Sequence, residues 1–149
     1  YVDLPKSENC NWRESHFRFI LSNEKKEKEN IKLVDAESFG LVEDRPKALT
    51  QFLISNKTSA EDIDLVLYSN NIPETVNELN GFFPSQKLND FQKITGTYFT
   101  NSGFAMNYGV DILRKGNHPS FEKSINRILI YNNLIPENLG LILIEKNSD

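Results

Sequence analysis

Cysteine is almost missing from this 149-residue sequence, which holds one, Cys10. That excludes an internal disulfide framework and any multi-cysteine zinc site, and it fits a reducing compartment. Basic excess is missing too. Seventeen Lys and Arg stand against twenty-one Asp and Glu, a net charge of −4, so no broad surface exists to neutralise phosphates and a nucleic-acid partner is disfavoured. No apolar run approaches the ~20 residues of a membrane-spanning helix. Tyr1–Asn11 lacks a signal-peptide pattern. The chain opens on Tyr1 rather than Met, so the reading frame is expected to begin further upstream or to have been processed. No His-Glu-x-x-His, Walker or dinucleotide glycine pattern occurs, nor any internal repeat or low-complexity tract.

What is present suits one folded domain over 1–149: 38% hydrophobic and 26% charged residues. Residues 1–14 read as an irregular lead-in. Phe17–Ser22 and Ile31–Ser38 read as strands joined by the charged stretch Asn23–Asn30, a solvated connection of mixed sign. Asp44 before Pro46 marks a helix start, with Leu49, Phe52 and Leu53 as its stripe to about Asn56. Ile63–Tyr68, nearly all apolar between turns, predicts a strand buried on both faces, as in a parallel sheet. Pro73 opens a helix that Gly81 stops, and Asn89–Thr95 reads as a short strand or loop. Thr97–Lys115 is the strongest helix, with Phe99, Met106, Val110 and Leu113 on one stripe and Gly116 as C-cap. Its Ser102-Gly103 pair, next to Ala105, predicts a close backbone approach. Arg127–Tyr131 and Leu139–Glu145 close the chain as two strands. The alternation of helices with buried strands argues an α/β fold: a mixed β-sheet with helices packed on its faces.

This order, and the string Ser59-Ala60-Glu61-Asp62-Ile63-Asp64-Leu65-Val66 above all, resembles the C-terminal half of a β-ketoacyl synthase of the thiolase-like superfamily. Gly96–Gly103 falls where that family has its Gly-His and small-residue cluster. The closing Leu-Gly-Leu-Ile-Leu-Ile-Glu-Lys has the character of its last hairpin. The resemblance implies a thiolase-like half, an acyl-carrier-dependent acyltransferase chemistry of fatty-acid or polyketide type in the cytoplasm, and no cofactor or metal.

The catalytic motifs depart from the family. Its first histidine position falls on Ser69 and its second on Thr97; its lysine position falls on Gln92, or on Lys93 with a one-residue shift. A serine cannot replace a titrating imidazole. The loop Asn132-Asn133-Leu134-Ile135-Pro136-Glu137 has none of the family's glycines, and bulky residues there block close backbone approach. The nucleophile belongs to the half of the fold not represented. Cys10, in Glu-Asn-Cys-Asn-Trp, lacks the neighbours of a nucleophile elbow and reads as a spare thiol.

The resemblance therefore implies a ketosynthase-like protein that does not condense: a homodimer or heterodimer partner of a ketosynthase-like chain, shaping the acyl chain and engaging acyl carrier protein. Two other readings stand beside it. One is an active condensing enzyme in which Asn70, Asn71 and Lys93 serve an unusual site; the other is an unrelated α/β interaction module. The pairs Asn70-Asn71 and Asn132-Asn133 both fall at predicted strand C-termini, where open α/β sheets bind ligands, and are the candidate ligand-binding residues. His16 and His118 read as surface or satisfied histidines, Glu61, Asp62 and Asp64 as a turn and its solvated face, and Tyr98 and Phe99 as core.

Overall fold

A computed structural model describes residues 31–69, 72–96, 101–116, 118 and 124–147. The expected strand Phe17–Ser22, Cys10, His16, and Asn70, Asn71, Thr97, Tyr98 and Phe99 lie outside these residues.

The chain order is β1 (Ile31–Phe39), α1 (Arg45–Ser55), β2 (Leu65–Tyr68), α2 (Pro73–Asn80), β3 (Leu88–Asp90), α3 (Gln92–Thr95), α4 (Asn101–Lys115), β4 (Arg127–Asn132) and β5 (Leu139–Lys146). The strands form one mixed sheet in the order β1-β5-β4-β2-β3. β2 lies parallel to β3 and β4, and β5 lies antiparallel to β4 and β1. The α/β expectation is met.

Local chemistry starts α1 and α2 and ends α2 and α4 where the sequence places these boundaries. The Asp44 side chain accepts from the Lys47 backbone N–H at 2.9 Å, ahead of α1 with its early proline. Pro73 is the first residue of α2 and Gly81 follows its end. Gly116 takes φ +70° after α4, a conformation that favours glycine.

Strand alternation then divides the core. Val66, Tyr68, Leu129, Tyr131, Leu139, Leu141 and Leu143 pack against α1 and α2, with Leu49, Phe52 and Leu79 filling that layer. Leu65, Leu67, Ile128, Ile130 and Ile144 pack against α4 through Ala105, Ile112 and Leu113. β2 is buried along its whole length because both faces are covered.

Two expectations are corrected. The short strand expected within Asn89–Thr95 is present but begins at Leu88, and an unexpected helical turn follows it. The short strand β3 ends at Asp90, whose carboxylate accepts from the Gln92 backbone N–H at 3.1 Å and turns the chain into α3. The buried stripe of α4 is Asn101, Ala105, Gly109, Ile112 and Leu113. Met106 and Val110 are half-buried. The stripe is rotated because α4 descends onto the sheet at Gly109, where a Cβ would stand 2.8 Å from Ile144 Cδ1 and 3.5 Å from Leu67 Cδ1. The close approach belongs to Gly109 and to side chains of the sheet, while Gly103 is half-buried.

Candidate functional site

Alternation carries past the strand ends and decides which polar residues meet. After Leu65 and Leu67, Ser69 is the next position on the α4 face; after Ile128 and Ile130, so is Asn132. Ser69 is fully buried. Its hydroxyl donates to Asn132 Oδ1 at 2.6 Å, and its backbone N–H donates to the Tyr131 carbonyl at 3.1 Å.

Asn132 is the hub of this end of the sheet. Oδ1 also accepts from the Leu134 backbone N–H at 3.1 Å. Nδ2 donates to Asn101 Oδ1 at 3.0 Å and to Ser102 Oγ. One amide thus ties β2, β4, the first residues of α4 and the β4–β5 loop together, with both donor hydrogens and both acceptor lone pairs engaged.

Asn133 points the other way. Its amide donates to Thr75 Oγ1 of α2 at 2.7 Å, in a fully buried contact. The pair Asn132-Asn133 is therefore split across the sheet and does not converge on one ligand. Gln92 is half-buried and Lys93 exposed, both on the single turn of α3.

A groove of about 390 Å³ opens beside the hub on the α4 face. Ala36 and Ser38 of β1, Ile130 and Asn132 of β4, and Gly140 and Ile142 of β5 form its floor. Ser102 stands at one side, and Leu134, Ile135 and Asn138 of the β4–β5 loop at the other. The floor is hollow toward β1 because its residues there are small: Ser38 lies opposite Gly140, and Ala36 is two residues before Ser38 on the same face. A bulge between Leu33 and Asp35 sets that pairing.

A second polar group lies beneath the opposite face. The hydroxyl of the fully buried Tyr131 donates to Glu78 Oε1. Glu78 Oε2 accepts from Arg45 Nε at 3.0 Å, and Arg45 Nη1 donates to the Pro136 carbonyl at 3.1 Å. Burial first, and then the Glu78 carboxylate, push the Tyr131 phenol well above its ordinary pKa. Sequence reading missed this group, because residues 45, 78 and 131 carry no local pattern. It missed Asn101 for the same reason, and it took Ser102 for a small-residue contact rather than a partner of Asn132.

The remaining polar candidates are structural. His118 is buried, its Nε2 lies 2.8 Å from the Tyr108 hydroxyl, and burial pulls its pKa down. It is a satisfied histidine. Asp64 Oδ2 accepts from the backbone N–H groups of Asn126 and Arg127 at 2.8 and 3.0 Å. Asp62 accepts from the Ser59 N–H and hydroxyl, which hold its carboxyl below the usual range. Among the described residues, no group of three or more His, Cys, Asp and Glu could hold a metal ion. No described helix is long and apolar enough to cross a membrane.

No family model matches the sequence, and no curated protein sequence matches it. Solved structures do. The PfaC keto synthase–chain length factor aligns with a TM-score of 0.62 at 19% identity, covering 85% of this chain and 14% of that one. The 3-oxoacyl-[acyl-carrier-protein] synthase III of Aquifex aeolicus VF5 aligns with a TM-score of 0.55 at 12% identity, covering 80% of this chain and 46% of that one. The fold is that of the thiolase-like ketosynthases, and the chain spans less than half the length of either of these proteins.

Proposed function

We propose that this chain is part of a ketosynthase-like protein that does not itself condense acyl groups. In this reading it works in the cytoplasm in fatty-acid or polyketide-type biosynthesis, pairs with a ketosynthase-like chain and shapes the space that an acyl chain occupies. The observation that carries the reading is the Ser69–Asn132 hydrogen bond at 2.6 Å. At the position that the resemblance assigns to a histidine, a buried hydroxyl gives its proton to an amide oxygen. Neither group titrates near neutral pH, so the pair offers no general acid or base. Asn132 is saturated by protein partners, so it has no spare donor for a developing oxyanion. The hollow floor, where Ala36, Ser38 and Gly140 lie beside the apolar Ile130 and Ile142, supports an acyl-shaping role, as does the likeness in fold to a keto synthase–chain length factor.

Decarboxylation of a malonyl-loaded acyl carrier protein by the intact protein tests this. The expected result is no carbon dioxide release above that of the loaded carrier alone. A decarboxylation or condensation rate that Ser69→Ala or Thr97→Ala abolishes would overturn the reading and favour a condensing enzyme served by Asn70, Asn71 and Lys93.

A further inference from the structure

We infer that Arg45 is a positioning residue: it holds the outer wall of the groove in place from the opposite face of the sheet. The β4–β5 loop supplies that wall through Leu134, Ile135 and Asn138. Three of the loop's attachments are hydrogen bonds at known places. The Leu134 N–H donates to Asn132 Oδ1 at the near end, the Val42 N–H donates to the Glu137 carbonyl at 2.8 Å, and Arg45 Nη1 donates to the Pro136 carbonyl.

Arg45, like Asn132, is itself anchored, but by partners beneath the opposite face of the sheet. Its Nε is held by Glu78 Oε2, and Glu78 is held by the Tyr131 hydroxyl. Only 9% of the Glu78 side chain is exposed, so this carboxylate has little water to turn to if Arg45 lets go. The planar guanidinium engages the carboxylate and the loop carbonyl together, at 3.0 and 3.1 Å, from adjacent nitrogens. A lysine ammonium has no second nitrogen to reach the carbonyl while it pairs with the carboxylate. The groove wall is thereby tied to the Arg45–Glu78 pair beneath the opposite face of the sheet. This inference concerns the wall alone and holds whatever ligand the groove takes.

The test is site-resolved amide hydrogen exchange on the intact protein and on Arg45→Lys, Arg45→Gln and Tyr131→Phe. The Leu134 and Asn138 amides report on the loop, since each donates a hydrogen bond there. Arg45→Lys keeps a cation for Glu78 and guards against a variant that fails to fold. It is expected to raise exchange at Leu134 and Asn138 by about tenfold while leaving Val66 and Leu129 unchanged. Tyr131→Phe removes a buried hydroxyl but leaves the Arg45–Pro136 bond. It is expected to lower global stability with loop exchange rising only in step with that of the core. Unchanged loop exchange in both Arg45 variants would overturn the inference, as would an increase spread evenly over loop and core.

Discussion

The Ser69 hydroxyl and the Asn132 amide oxygen join the C-terminal ends of two parallel strands across 2.6 Å, 63 residues apart in sequence. Two strand ends that would otherwise present open valences to a ligand are closed on each other. The same amide holds α4 through Asn101 and Ser102 and the β4–β5 loop through Leu134.

Removing the hub should therefore cost more than removing a spoke. Asn132→Ala strands the Ser69 hydroxyl, Asn101 Oδ1 and the Leu134 N–H at once, and is expected to destabilise the fold by about 3 kcal/mol. Ser69→Ala leaves Asn132 Oδ1 with its Leu134 donor and is expected to cost about 1 kcal/mol. Urea denaturation of the three proteins checks the order; equal losses would show that Asn132 is no hub.

Gly109 sits where α4 touches the sheet. Its nearest neighbours are methyl ends of Ile144 and Leu67, which can yield a little. Gly109→Ala should change stability by less than about 1 kcal/mol, because the gain in helix propensity offsets the crowding. Gly109→Val should cost about 2–3 kcal/mol, since a branched chain cannot be absorbed by methyl shifts. Thermal unfolding of both variants tests the contrast.

Tyr131 makes stability fall in alkali. Its phenol is raised above the ordinary value of 10.0, so the folded state holds the proton more tightly than the unfolded state does. The contribution is complete below pH 10 and is lost as pH rises beyond it, at up to about 1.4 kcal/mol per pH unit. Burial raises Tyr68 and Tyr108 as well, so they add to the slope. Stability measured from pH 9 to 11 should drop less steeply in Tyr131→Phe than in the parent.

His118 acts at the other end of the scale. Burial lowers its pKa below the ordinary 6.5, so the unfolded state takes up the proton first. The neutral imidazole's contribution is present above pH 6.5 and is lost as pH falls beneath it. His118→Gln should flatten the stability difference between pH 7 and pH 5.5. An unchanged difference would mean that another group sets it.

The order of the described elements apart from α3, the helix boundaries at Asp44, Pro73 and Gly116, and the burial of β2 were legible in the sequence by itself. Each depends on neighbours a few residues apart: a capping carboxylate, a ring that fixes φ, a glycine free to turn left-handed, an apolar run too short for a helix. The residue types at Ser69 and in the glycine-free loop 132–137 were equally plain, because a residue type is read directly. Only the tertiary structure decided what those residues do. It turned Asn132 toward α4 and Asn133 toward α2, chose Gly109 over Gly103 for the close contact, and brought Arg45, Glu78 and Tyr131 together. Those outcomes depend on sheet register and on hydrogen bonds between residues 30 to 91 positions apart. Such pairings leave no periodic trace along the chain, since the partners meet only after the strands have aligned.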